Sequence, residues 1–170
     1  SIQEINGVFY CYATTDGYGQ GLKTSGPPVV WKSKDFVHWS FDGTYFPSAA
    51  KEKYWAPSKA IFANGKYYIY PTINGYMYLA VADKPEGPFK IDHIQKTLPI
   101  QNDVTGDQTL FQDDNGKAYI ICSSANGRAY QYVIPLRESD FLDIDEENIK
   151  MLFYDEDGSY IDENGEVDKK

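Results

Sequence analysis

A phrase of nine residues recurs along this chain of 170 residues: NGVFYCYAT from Asn6, NGKYYIYPT from Asn64 and NGKAYIICS from Asn115. The copies begin 58 and then 51 residues apart. Each opens with Asn-Gly, a pair that takes up positive φ angles at little steric cost and so predicts a type I′ hairpin turn. Each continues with aromatic and β-branched residues, which suit a pleated, half-buried strand. A strand–turn unit returning at this period is the mark of a repeat architecture, and the length suits a β-propeller blade. No segment keeps an apolar period of 3.6 over a dozen positions, so long helices are not expected. The predicted fold class is all-β, built from four-stranded antiparallel blades.

Three blades are expected, over residues 1–47, 54–98 and 106–154, with a tail at 155–170. In the first, VVWKSKDFVHW supplies a third strand, a turn at Lys34-Asp35 and an aromatic landing at Trp39. In the second, WAPSKAIFANGKYYIYPT reads as a hairpin and GYMYLAVADKPEGPFK as a third strand turning into an outer one. In the third, GDQTLFQDDNGKAYIICSS is a hairpin, and RESDFLDIDEENIKMLF is an acidic loop ending in a strand or a short helical turn. The tail carries turn signals around a short strand, as an edge hairpin would. Propellers close with four to eight blades, so about three leave open edges. The chain is therefore expected to be a piece of a larger propeller, with the remainder of that propeller as its partner. Ser1-Ile2-Gln3-Glu4 runs straight into a strand, and a removed upstream segment is expected there as well.

The formal charge of −9 disfavours nucleic acid phosphates and anionic membrane surfaces as partners. Uncharged sugars are compatible with it. No run is apolar and long enough for a transmembrane helix, and Ser1 onward is not expected to be a signal peptide. Cys11 and Cys122 sit in different copies of the repeat and read as small apolar strand residues rather than a disulfide framework.

Four phrases, in this order across the chain, carry a resemblance. NGVFYCYAT followed by VVWKSKDFVHW is the first. YWAPSKAIFANGKYYIY, Tyr54 to Tyr70, is the second. AVADKPEGPF, Ala80 to Phe89, is the third, and GDQTLFQDDNGKAY, Gly106 to Tyr119, is the fourth. Together they resemble glycoside hydrolase family 43, the five-bladed propellers that include arabinofuranosidases, xylosidases, arabinanases and galactanases. The resemblance implies inverting hydrolysis of glycosidic bonds in plant-type, arabinose-, xylose- or galactose-containing polysaccharides or oligosaccharides. Secretion, or a periplasmic location, follows by analogy with polysaccharide-degrading enzymes.

The family's chemistry takes three carboxyl groups around a central cavity. A general base activates water, a general acid protonates the leaving oxygen, and a third carboxylate holds the acid's pKa and orientation. Asp107 matches the third of these, and the plainer reading of it is a cap on the turn after Gly106. The base belongs to an Asp-Pro pair just before the first Asn-Gly turn, and the acid to a Glu-Gly-Pro or Glu-Ala-Pro stretch on the fourth blade. Both are expected to lie outside this chain, which would then be silent alone. Glu86-Gly87-Pro88 imitates the acid's motif, but it follows Ala-Asp-Lys-Pro and belongs to an outer turn of the second blade. Trp55 matches a tryptophan that lines the sugar pocket, where apolar sugar faces stack on aromatic rings. A packed core tryptophan is the competing reading.

Trp31 and Trp39 are read as packing residues. His38 and His93 lack partners at metal-ligand or triad spacing. QDDNG and DEDG lack the alternation of a calcium loop and are read as turn chemistry, and the acidic run Asp140 to Glu147 as a solvated face. No cofactor is expected, although the resemblance allows a structural cation in the complete cavity. The reading from another class is a non-catalytic carbohydrate- or protein-binding propeller whose cavity has lost its acid and base.

Overall fold

The computed structural model describes residues 1–15, 27–47, 53–55, 57–74, 76–95, 105–124, 130–137, 144–154, 159–161 and 167–169. Most of the Gly-rich stretch after Asp16, the first part of the acidic run and most of the tail lie outside the described residues.

Three sheets follow one another along the chain. The first is a meander of β1 (Ile2–Ile5), β2 (Val8–Ala13), β3 (Val29–Ser33) and β4 (Trp39–Thr44), each strand antiparallel to the next. The third repeats this with β11 (Thr105–Gln112), β12 (Ala118–Ser124), β13 (Tyr130–Pro135) and β14 (Lys150–Tyr154). A 3-10 turn, Glu146–Asn148, leads into β14, so the acidic run ends in both a helical turn and a strand.

The middle sheet has six shorter pieces: β5 (Tyr54–Trp55), β6 (Ile61–Ala63), β7 (Lys66–Ile69), β8 (Thr72–Ile73), β9 (Tyr76–Ala82) and β10 (Lys90–Gln95). Register shows what they are. Ile69 pairs with Ala80 and Thr72 with Met77, so β7 and β8 lie on β9 in a single register. They are one strand, interrupted where Pro71 cannot donate to a ladder. β5 and β6 pair with β8 and β7 in turn, as one strand broken at the same level. The middle sheet is therefore also a four-stranded meander, with its first two strands split. In the tail, β15 (Ser159–Ile161) and β16 (Val167–Lys169) pair with each other.

The middle sheet is buried on both faces, and strand alternation decides which side chain goes where. On β9, Ala80 and Ala82 join Ile69, Ala60 and Tyr54 against Tyr12, Val30 and Tyr45 of the first sheet. Met77 and Leu79 alternate with them and join Ile61 and Tyr70 against Leu110, Ile120 and Ile134 of the third. Consecutive meanders stacked through their faces are blades of a β-propeller.

The first two copies of the repeated phrase turn as the sequence predicts. Asn6 and Gly7 have φ of 51° and 76°, Asn64 and Gly65 have 49° and 75°, and each pair is the whole loop between paired strands. The third copy differs. Only Gly116 has positive φ, and the ladder closes at Gln112↔Ala118, leaving 113–117 to turn. Asp113 is the cause. Its Oδ1 accepts from the N–H groups of Asn115 (3.0 Å) and Lys117 (2.9 Å), and its carbonyl accepts from Gly116 N–H. The carboxylate organises a wider turn ahead of the Asn-Gly pair. Asn74, with φ 52°, makes a further tight turn between Ile73 and Tyr76, outside the repeated phrase.

Candidate functional site

Because each sheet is an antiparallel meander, the first strands β1, β5 and β11 start at one end of the stack, here called the upper end. The turns at Asn6-Gly7, Asn64-Gly65, 83–89 and 113–117 lie at the lower end. Trp55 and Asp107 both stand on first strands near the upper end. Their backbones are described, while their side chains lie outside the described part of the structure.

Asp107 occupies an irregular place in its strand. Gly106 pairs with Ser123 and Thr109 with Ile121, so two residues, Asp107 and Gln108, stand opposite one, Cys122. That is a β-bulge, a device that re-aims side chains and recurs beside active sites. Several of the described residues beside the bulge are buried. Burial pushes the Cys122 thiol up to about 12, and Leu110 and Ile120 are fully buried.

Gln108 is 2% exposed. Its amide reaches from the third blade into the second, where Nε2 donates to the Tyr70 carbonyl at 3.0 Å and to Thr72 Oγ1 at 2.7 Å. The Thr72 hydroxyl lies 3.0 Å from Oε1, to which it donates. The break at Pro71 explains why Tyr70 meets side chains here. Its N–H donates to Ser58 Oγ at 2.8 Å, from the split between β5 and β6, and its carbonyl accepts from Gln108. Buried backbone groups that leave the ladder must find such partners. Thr72 is in turn the cross-strand partner of Trp55. The Thr72–Gln108 link thus stands one position from both Trp55 and Asp107.

The remaining sequence candidates fall elsewhere. Glu86 lies in the turn between β9 and β10, at the lower end, away from Asp107. His38 does have a partner, although not a catalytic one. Its Nδ1 is 2.7 Å from Asp35 Oδ2 in the exposed β3–β4 turn, where Asp35 Oδ1 also accepts from the N–H groups of Val37 and His38. Those bonds hold the Asp35 carboxyl well below the usual carboxylate range. Trp31 packs on Phe41 with centroids 5.1 Å apart, and Trp39 on Phe36 at 5.5 Å, as pairs on the outer part of the first blade. His93 has its backbone on β10 and its side chain outside the described part.

Sequence reasoning missed Gln108, Thr72 and Ser58. A signal was present for the first: with Leu110 it follows the period of two on the buried face, where an amide must have a partner. Nothing comparable marks Ser58, whose role depends on a strand break.

Comparison with known proteins bears on the family and the fold. The sequence model of the family described as glycosyl hydrolases family 43 matches residues 1–163. A beta-xylosidase of Xylanibacter ruminicola is 31% identical over 147 residues, covering 75% of this chain and 44% of the relative. A solved structure described as a glycoside hydrolase shares 60% identity with a TM-score of 0.76, over 95% of this chain and 37% of that one. An alpha-L-arabinofuranosidase structure from Clostridium thermocellum shares 27% identity with a TM-score of 0.68, over 89% and 54% of the two chains. The chain thus spans well under two thirds of the length of each of these proteins.

Proposed function

This chain belongs to glycosyl hydrolases family 43, and on that premise we propose that it supplies three blades of a propeller that hydrolyses glycosidic bonds with inversion. The substrates are arabinose-, xylose- or galactose-containing poly- or oligosaccharides of plant type, met outside the cytoplasm by a secreted or periplasmic enzyme. Relatives named as a beta-xylosidase and an alpha-L-arabinofuranosidase support the pentose end of that range.

Asp107 is the carboxylate that tunes the general acid, and Trp55 is a platform for the sugar face. The observation that carries this reading is the bulge at Asp107–Gln108, in the upper half of a first strand, inside the stretch the family resemblance singled out. An anion held beside a carboxylic acid raises that acid's pKa and keeps it protonated near neutrality. On this reading the base belongs to an Asp-Pro pair before the first Asn-Gly turn, and the acid to a Glu-Gly-Pro or Glu-Ala-Pro stretch on the fourth blade. Inversion requires the two to stand far enough apart for a water between base and sugar. No cofactor enters this chemistry.

The test is to offer the protein, at its natural length, aryl xyloside, arabinofuranoside and galactoside, and to follow the first-formed anomer by proton NMR. Turnover of one with the opposite anomer formed first is expected. Retention would overturn the mechanism. Sugar binding by a folded protein without turnover would favour a non-catalytic propeller.

A further inference from the structure

We propose that Gln108, acting with Thr72, is a positioning residue that fixes the direction of Asp107; this rests on the reading of Asp107 as the acid-tuning carboxylate. A bulge re-aims its side chains, and what holds the local backbone fixes the new direction. Two residues oppose one, the ladder lapses there, and the local backbone follows whatever else holds it. Here the holding group is the amide of Gln108, the second residue of that same bulge.

The amide cannot rotate freely. Tyr70 offers a carbonyl, which accepts only, so the amide nitrogen must face it and the flipped orientation is excluded. Thr72 adds a hydroxyl that accepts from Nε2 and donates to Oε1, closing a small ring of polar contacts. Both acceptors sit on the second blade, at and just past the interruption at Pro71. The bulge of the third blade is therefore referenced to the second blade, on which Thr72 also pairs with Trp55. One link thus ties the backbone that carries Asp107 to the strand paired with Trp55.

Packing alone does not ask for this. The same face buries Leu110, Ile120 and Ile134, and a methionine would fill the place of Gln108. An amide in such surroundings is unfavourable unless it is fully paired, and once paired it specifies direction as packing does not.

Five variants, made in the protein at natural length, test the proposal: Gln108→Met, Thr72→Val, Thr72→Ser, Asp107→Asn and the double variant Gln108→Met/Thr72→Val. Each is read by kcat, KM and the pH profile of kcat on the best aryl glycoside, with thermal unfolding alongside. Gln108→Met is expected to lower kcat by about 10-fold to 100-fold, the scale of an ångström-sized misplacement, with KM little changed. The basic limb of its pH profile should move to lower pH. A displaced Asp107 raises the acid's pKa less, so the acid loses its proton sooner. Thr72→Val should shift the profile the same way, and Thr72→Ser should restore most of the loss. The double variant Gln108→Met/Thr72→Val should be no worse than Gln108→Met, because both act through one link.

If Gln108→Met lowers only the melting temperature and keeps the wild-type pH profile, the residue is structural and the proposal is overturned while the reading of Asp107 stands. If Asp107→Asn itself leaves kcat and the pH profile unchanged, the reading of Asp107 fails and the proposal fails with it.

Discussion

The two faces of the middle blade are built from different materials. Toward the first blade the packing is aromatic: Tyr12, Tyr45, Phe46, Tyr54 and Phe89 meet edge to face, with ring centroids 5.1 to 6.5 Å apart. Their hydroxyls are satisfied within the junction, Tyr45 with Tyr54 and Tyr12 with the Pro85 carbonyl, each at 2.7 Å. Toward the third blade the packing is mostly aliphatic, crossed among the described residues by the amide of Gln108. In the first junction polarity completes the packing. In the second, among the described residues, a buried amide lies beside the bulge that carries Asp107. Damage to the first should therefore cost stability alone, and damage to the second should also reach the candidate site.

The comparison can be broken most severely by truncating each junction. Phe89→Ala should destabilise by about 3–5 kcal/mol and Leu110→Ala by about 2–5 kcal/mol, measured by denaturant unfolding. Comparable losses are expected, but only Leu110→Ala should also disturb the pH profile of kcat, since Leu110 lies two residues from Gln108. Equal disturbance from both would erase the distinction.

Gly87→Ala comes next. Gly87 has φ of 86°, and a Cβ there would collide with the Tyr45 carbonyl oxygen, which accepts from the Phe89 N–H at 2.8 Å. A loss of more than about 1 kcal/mol is expected. An unchanged unfolding midpoint would mean that the β9–β10 turn does not seat on the first blade as described.

Tyr12→Phe is milder, removing one hydrogen bond to Pro85 for about 0.5–1.5 kcal/mol. Smaller still is an effect of pH on the Asp35 turn. The folded carboxyl is held below its ordinary value of about 3.9, so its contribution is present above that value and is lost as pH falls through the folded pKa. Carboxyl NMR should show Asp35 titrating below the ordinary aspartate range. A normal titration would remove the turn's electrostatic account.

What the sequence made legible follows from these materials. The blades were readable because Asn-Gly at two strand ends leaves the backbone one inexpensive conformation, and because period-two patterning such as Met77, Leu79 against Ala80, Ala82 has one way to be buried on both faces. The third turn was misread because Asp113 competes for the same N–H groups that the Asn-Gly pair would arrange, and only the fold decides between them. For the candidate site the sequence offered Asp107 and Trp55 through resemblance to a family, and the structure puts both backbones near the upper ends of first strands. The bulge was not legible, because it is a register difference between two strands and no single strand encodes it. The Gln108 link was invisible for a related reason: it depends on a break at Pro71 in another blade, 37 residues earlier in the chain.

The central claim, that these blades bring the acid-tuning carboxylate to a family 43 glycosidase, is tested most directly by the turnover of Asp107→Asn on aryl xyloside and arabinofuranoside in the natural-length protein. The account predicts a folded variant with sugar binding kept and kcat lowered by about 100-fold or more. A folded variant that turns over at the wild-type rate would contradict it.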